Sequence, residues 1–317
     1  MAQTFNTRKF KPFFYFLIFV GLFSAFSRRA TAQAEISAFV RSEWRILQLM
    51  NEIKSLKDDS LAIRKHIEAE ELFAKTLILP DAYLYPFDSL TMIGRLYAPD
   101  KSFRFINWNH SFQDGTQCHF GLIVVPSGGE LNTVIWLTDW SDSIRQPEQQ
   151  TLSSDNWYGA LYYRIIDAQT ADDGEQYYTL LGVDMNTWET KKKIIEILSF
   201  GKNGTTAQFG APIIEFNGWT KNRLIFELSS QETMYLEYNK RKKRIEFDHL
   251  APPMPYMVGQ YEYYGPDERT DGLKFVGKQW KHYKNISVKK IKKKPVPPEF
   301  QLGKPMKRNN EEEEIEE

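Results

Sequence analysis

The sequence predicts a mainly β fold, an antiparallel meander preceded by a helical segment, and three observations carry that expectation. From Tyr85 onward, short apolar runs alternate with turn residues. Aromatic residues make up 15% of the chain, and many stand beside Ile, Val and Thr, which suits a pleated, half-buried surface. The connections carry hairpin chemistry and no helix-length pattern interrupts them, which argues against a parallel βαβ sheet.

The N-terminus reads as a secretory signal peptide over 1–32. Arg8, Lys9 and Lys11 form a basic region, "PFFYFLIFVGLFSAF" (Pro12 to Phe26) an apolar one, and Ala30-Thr31-Ala32 a small-x-small cleavage site, with Ala34 as the alternative end. The apolar run is shorter than the about 20 residues that span a bilayer, so no stable membrane span is expected after cleavage. Arg28 and Arg29, between the run and the cleavage site, keep a membrane anchor as the alternative. Export exposes a chain to an oxidising compartment, yet there is one cysteine, Cys118, so the core and not a disulfide must hold the fold. Within the strand-like "TQCHFGLIVV", Cys118 reads as a buried, inert thiol.

Residues 33–80 form the helical segment. Val40, Trp44, Leu47, Met50 and Ile53 recur at helical steps, as do Ile63, Ile67 and Ala74. "KDDS" at Lys57 to Ser60 supplies a cap for a second helix and Pro80 ends it, which gives an interrupted helix or a hairpin. Residues 81–288 form the β domain, with strands expected at "MIGRLYA", "SFRFINW", "CHFGLIVV", "TVIWLTDW", "YGALYYRII", "YYTLLGVD", "KKIIEILSF", "APIIEF", "RLIFELS", "MYLEY" and "KRIEFDHL". Turns are expected at Asp114-Gly115, Pro126 to Glu130, Asp172 to Gly174, Lys202 to Gly204 and Asn217-Gly218. Two triplets of strands share a rhythm, which a twisted sheet, a sandwich or propeller-like blades would each produce. Residues 289–317, with "KKIKKKPVPPEF" and "EEEEIEE", lack an apolar face and read as a flexible charged tail. The 41 basic and 41 acidic residues balance, and the lysine cluster has no interleaved aromatics, so nucleic acid is not an expected partner.

The phrases "PFDSL", "APDKSFRFINWN", "DNWYGALYY", "YTLLGVD", "FDHLAP" and "YYGPDERTDG" resemble an uncharacterised family of exported proteins of Bacteroidota, over most of Phe87 to Trp280. The resemblance implies a shared fold and a Gram-negative envelope, hence periplasm, outer-membrane surface or secretion. It brings no assigned activity and no functional residues.

Chemistry is thinly signalled. There is no G-x-S-x-G elbow, no Walker loop or dinucleotide fingerprint, and the five histidines, His66, His110, His119, His249 and His282, show no metal-ligand spacing. No cofactor or metal is therefore expected. The candidates for a polar site are His110, following a strand end in "NWNHSF"; Asp248 and His249, adjacent and so on opposite faces of a strand; and Asp267 and Asp271 of "YYGPDERTDG". That last stretch lacks the alternating ligands of a calcium loop and reads as two turns, one at Pro266-Asp267 and a hairpin at Asp271-Gly272. The resulting expectation is an exported cell-envelope protein with a binding or structural role, no recognisable catalytic set, and an envelope protein or glycan as partner. One alternative is a hydrolase or glycan-processing enzyme whose acid and base come from distant strands; another is a glycan-binding module using exposed rings such as Trp136 and Trp140.

Overall fold

The computed structural model describes residues 37–129, 131–171 and 173–286. The expected signal peptide and charged tail lie outside them.

Two helices open the described chain, α1 over 37–55 and α2 over Asp59–Leu77. Asp58 caps α2 by accepting from the backbone N–H of Leu61 at 3.0 Å, as the "KDDS" signal predicts. The helices form a hairpin tied by Arg45–Glu68 (2.7 Å) and Lys65–Glu52 (2.6 Å). The buried stripe of α1 differs from the expected one. It contains Phe39, Glu43, Ile46, Leu49, Met50 and Ile53, whereas Val40 and Trp44 are exposed, as is Ile67 of α2. The reason is a polar residue in the stripe's centre: buried Glu43 accepts from the Tyr85 hydroxyl (2.7 Å) and the Ser89 N–H (2.6 Å), so it faces inward despite its charge.

The strands form three sheets. The first contains β1 (Gly94–Tyr97), β2 (Arg104–Ser111), β3 (Gln117–Val125) and β4 (Thr133–Thr138) in chain order. The second contains β5 (Leu152–Ser153), β6 (Leu161–Thr170), β7 (Gln176–Asp184), β8 (Thr190–Phe200) and β9 (Ala207–Phe209), with β12 (Leu224–Ser229) also paired to β8. The third contains β10 (Ile214–Phe216), β11 (Trp219–Lys221), β13 (Leu236–Asn239), β14 (Arg244–Ala251), β15 (Gly265–Val276) and β16 (Gln279–Tyr283), in the order β11-β10-β16-β15-β14-β13. The protein is mainly β and its sheets are antiparallel-rich, as predicted. Three strand pairs depart from the meander: β5 pairs with β9 and β12 with β8, both antiparallel, and β10 runs parallel to β16, beside which the chain returns after the β13–β15 excursion.

Three apolar cores alternate with the layers. Ile106, Trp108, Phe120 and Leu122 of the first sheet pack with Phe73 and Leu77 of α2. Their strand neighbours Phe105 and Ile123 point the other way, against Tyr162, Leu180, Ile194 and Leu198 of the second sheet. The opposite face of that sheet, with Leu181, Ile195 and Ile197, packs on Phe247, Leu273 and Trp280 of the third. Successive residues of a strand point to opposite faces, so β2, β3, β7 and β8 each serve two cores. Asn107 joins the first two sheets: a register shift in β6 beside Tyr162 turns that residue's N–H toward Asn107 Oδ1, at 2.7 Å.

The stretch "YYGPDERTDG" requires a correction. It is not two turns; from Gly265 it lies in β15, a strand of 12 residues, and the hairpin turn falls later, at Gly277-Lys278, where both residues have positive φ (59° and 64°). Gly272 is a close-packing residue: a Cβ there would lie 3.0 Å from the Ile245 carbonyl oxygen and 2.7 Å from Ile286 Cδ1. The register of β15 against β14 jumps from Thr270 to Pro266, so Asp267, Glu268 and Arg269 bulge outward, with Glu268 in the left-handed region at φ 70°.

Candidate functional site

The polar residues singled out in the sequence separate into four places. His249 and Asp267 meet beside the β15 bulge, Nδ1 to Oδ2 at 2.9 Å, and Arg269 Nε shares the same oxygen at 2.8 Å. Burial works against the Asp267 charge, but the Arg269 bonds hold its carboxyl below the usual carboxylate range. Asp248 faces away from this group and accepts from the Tyr235 N–H at 2.8 Å. Asp271 is buried and pairs with His282 Nε2 at 3.0 Å. His110 lies in another layer, in a chain across the helix–sheet junction. Trp108 Nε1 donates to His66 Nδ1 (3.1 Å), which leaves His66 Nε2 to donate to His110 Nδ1 (3.3 Å), and His110 Nε2 to Asp59 (3.3 Å). Burial, then the neighbouring His110, pushes the His66 pKa down to about 3, so this chain is neutral through His66. Cys118 is half-buried and burial pushes its thiol up to about 12. Among the described residues no three His, Cys, Asp or Glu side chains are grouped to hold a metal ion.

A cleft of about 770 Å³ opens elsewhere, over the face of the second sheet that carries Lys192 and Ile225. Its floor is Tyr158, Lys192 of β8, and Ile225 and Glu227 of β12. Lys192 and Glu227 are register partners, as are Ile194 and Ile225, and Ile194 packs toward the first sheet, so all four side chains share that face. One wall is the segment from Ser141 to Gln149 and the other is Tyr261.

Each side is built from buried polar interactions. Arg223 and Glu196 form a fully buried ion pair at 2.7 Å, and the Arg223 guanidinium also donates to the carbonyls of Pro147, Gln150 (3.0 Å) and Phe209 (2.9 Å). This clamp fixes the wall to the second sheet. Gly210 must be glycine for it: with φ 88°, its Cβ would sit 2.6 Å from both Arg223 Nη2 and the Gln150 carbonyl oxygen. Glu148 reaches across the edge of β12, accepting the Ile225 N–H at 3.1 Å while pairing with Lys221. On the opposite side, Ser229 N donates to the Tyr264 carbonyl at 3.0 Å, and the Tyr261 and Tyr264 rings lie 5.1 Å apart.

Behind the floor runs a charged chain. Asp139 accepts from His119 Nδ1 (3.0 Å), the His119 N–H (2.8 Å), Ser141 N (3.0 Å) and Gly159 N (3.2 Å). His119 Nε2 faces Asp184 at 3.6 Å, and Asp184 faces Lys192 at 3.8 Å. Burial opposes both charges, but the partners prevail: His119 is held above its ordinary pKa and Asp139 falls to about 2. Glu227 in turn accepts from Thr190 Oγ1 at 2.7 Å and Asn186 Nδ2 at 3.2 Å.

No family model, curated protein or solved structure matches the chain.

The cleft thus presents carboxylates, side-chain amides, one ammonium and tyrosine rings at fixed positions. Its two central carboxylates, Glu148 and Glu227, are each oriented by donors from the protein itself, which gives them a defined direction toward a bound hydroxyl or amide group. His119 is sealed behind the floor and reaches the cleft through Asp184 and Lys192 alone. Sequence reasoning did not single out Tyr158, Lys192, Glu148, Glu227 or Tyr261. The one available signal was "KKK" at Lys191 to Lys193, where charge interrupts a strand and successive lysines must face opposite sides of the sheet. Trp136 and Trp140 are both exposed, but no ring contact joins them among the described residues.

Proposed function

We propose that this is an exported, non-catalytic binding protein of the bacterial cell envelope, of the Bacteroidota family it resembles, and that its ligand occupies the cleft between Ser141–Gln149 and Tyr261. The observation that carries the reading is the state of the cleft's polar groups. Glu148 and Glu227 are already bonded by fixed donors, and Tyr158, Tyr261, Ile144 and Ile225 supply apolar surface between them. Directional acceptors alternating with rings and methyl groups suit a hydroxyl-rich ligand, whose C–H faces stack on tyrosine while its hydroxyls meet carboxylates and amides. Among the described residues no helix is long and apolar enough to cross a membrane.

Titration of the protein with soluble envelope oligosaccharides, followed by calorimetry, tests the reading. Saturable binding that weakens at least about tenfold in Tyr261→Ala and Glu227→Gln is expected, the loss of one charge-assisted hydrogen bond being of that size. Binding that both variants retain in full would place the ligand elsewhere. The hydrolase reading is favoured by one feature, two carboxylates on a single cleft; release of reducing ends by wild type, abolished in Glu148→Gln or Glu227→Gln, would establish it instead.

A further inference from the structure

We infer that the group recognised in the cleft is a protonated amine on a hydroxyl-bearing ring, which makes the ligand an amino sugar with an unacetylated nitrogen; this rests on the cleft being the oligosaccharide site.

The charges that line the cleft are unbalanced. Asp142, Glu148 and Glu227 are acidic, and Lys192 alone is basic. Lys192 does not serve Glu227, although the two are register partners on neighbouring strands; its ammonium faces Asp184, behind the floor, at 3.8 Å. Glu148 has its own cation in Lys221. Glu227 and Asp142 therefore have no cation within ion-pair distance among the described residues, and Arg145, which stands between the lining residues Ile144 and Gln146, does not itself line the cleft. The two bonds that Glu227 accepts, from Thr190 Oγ1 and Asn186 Nδ2, both fall on Oε1. Oε2 carries no bond and is not sealed from solvent, so a group entering the cleft can reach it. An ionised carboxylate only accepts hydrogen bonds, and a charged donor bonds it about twice as strongly as a neutral one.

Tyr158 supplies an independent sign of a ligand. It is 4% exposed, and its hydroxyl has no hydrogen-bond partner among the described residues. That hydroxyl is not one of the sealed, unbonded atoms, and the residue lines the cleft. Buried tyrosine hydroxyls usually find a partner, so an unbonded one facing a cleft marks the place of a ligand atom. The surroundings say which kind. Burial first, and then the charges of Asp184 and Glu227, push the Tyr158 hydroxyl above its ordinary pKa, against a smaller opposing effect of Arg223. At Tyr261, on the opposite wall, burial, Tyr264, Glu227 and Glu148 act in the same direction. Both hydroxyls thus stand in a negative field, which favours a cation and repels an anion. An ammonium has three donors, enough for Glu227 Oε2 and the Tyr158 oxygen together, and tyrosine rings attract it through their faces. An acetylated nitrogen brings one donor and no charge.

The experiment is calorimetric titration of the full chain with three trisaccharides of the same linkage: the glucosamine trimer, its N-acetylated form and the glucose trimer. The glucosamine trimer should bind saturably and at least about tenfold more tightly than either neutral trimer, with a preference that shrinks as salt is added. Glu227→Gln should narrow that preference roughly fivefold, and Asp142→Asn, at an exposed position, about twofold. Tyr158→Phe should weaken the glucosamine trimer roughly fivefold without lowering the melting temperature, since this hydroxyl bonds nothing in the protein. Equal affinity for all three trimers, lost in Tyr261→Ala, would overturn the amine and keep the oligosaccharide cleft. Tight binding of the glucosamine trimer that neither Glu227→Gln nor Tyr158→Phe weakens would also overturn it, by placing the amine elsewhere. Saturable binding by none of the three at millimolar concentration would overturn the oligosaccharide reading itself, and the amine with it.

Discussion

The junction between the helical hairpin and the first sheet and the junction between the first and second sheets both bury ionisable side chains, and they treat them in opposite ways. In the first, His66 is driven down to about 3 and Glu70 up to about 7, each mainly by burial. Each shift favours the neutral form. In the second, burial is as complete, but His119 rises and Asp139 falls to about 2, because each holds the other's charge through a 3.0 Å bond. Desolvation alone neutralises a group; desolvation with a bonded opposite charge preserves the ions. The floor of the cleft between Ser141–Gln149 and Tyr261 is backed by the second kind of junction, which gives it a fixed electrostatic field.

The largest effect should come from breaking the charged pair. Asp139→Ala leaves His119 buried without its partner and removes the acceptor for four further donors, the N–H groups of His119, Ser141 and Gly159 and the Ser141 hydroxyl, so a loss of about 3–5 kcal/mol in unfolding free energy is expected in urea titrations at neutral pH. The wild type should also show the pair in its acid limb. The Asp139 pKa is depressed from 3.8, so its contribution of about 2 kcal/mol is complete above that value and is lost as pH falls through about 2. An Asp139→Ala protein as stable as wild type would mean that the buried ions contribute nothing.

The neutral junction gives the next effect, with two slopes of opposite sign. Glu70 has its folded pKa raised from 4.5, so its contribution is present below pH 4.5 and is lost as pH rises through about 7. Glu70→Gln removes that loss, and the variant should gain about 3 kcal/mol relative to wild type between pH 4.5 and pH 8. His66 has its folded pKa lowered from 6.5, so its contribution is present above pH 6.5 and is lost as pH falls toward about 3. The two trends offset each other between pH 4.5 and 6.5 in wild type, and His66→Gln should expose the Glu70 slope alone. Parallel pH profiles for wild type and both variants would show that burial does not neutralise these groups.

The smallest effects separate two aspartates of one strand. Asp271 is buried against His282 and also accepts from the Asn285 N–H at 2.9 Å; Asp271→Asn should cost about 1–2 kcal/mol. Asp267 is held at a surface bulge, and Asp267→Asn should stay within about 0.5 kcal/mol. Thermal melts with calcium and with chelator should coincide for wild type and both variants. A calcium-dependent rise confined to wild type would show that the bulge gathers ligands for a cation.

These aspartates also show where sequence reading stops. Asp271-Gly272 has the chemistry of a hairpin turn, and Asn217-Gly218 is one, with φ of 51° and 83°. What distinguishes Asp271-Gly272 is tertiary: a partner histidine 11 residues later and an Ile245 carbonyl too close for any Cβ. The cleft was hidden for the same reason. Glu148 is an ordinary charged residue until Ile225, 77 positions away, offers its N–H, and Lys192 is one lysine of three until the layers decide which face it shares with Glu227.

The sequence by itself determined the local elements: the helix cap at Asp58, the strands β1 to β4, β6 to β8, β10 and β12 to β14, and the opposite faces of Asp248 and His249. Backbone propensity, turn chemistry and apolar run length act over a few residues and leave a local record. The tertiary structure alone decided the stacking of three sheets, the rotation of α1 around buried Glu43, the parallel return of β16 beside β10, and the cleft. A strand buried on two faces shows no polar alternation, so its sequence does not say which core each residue enters. A charge's fate depends on partners that only the folded chain brings within 3–4 Å, which is why His66 and His119, alike as isolated imidazoles, are shifted in opposite directions.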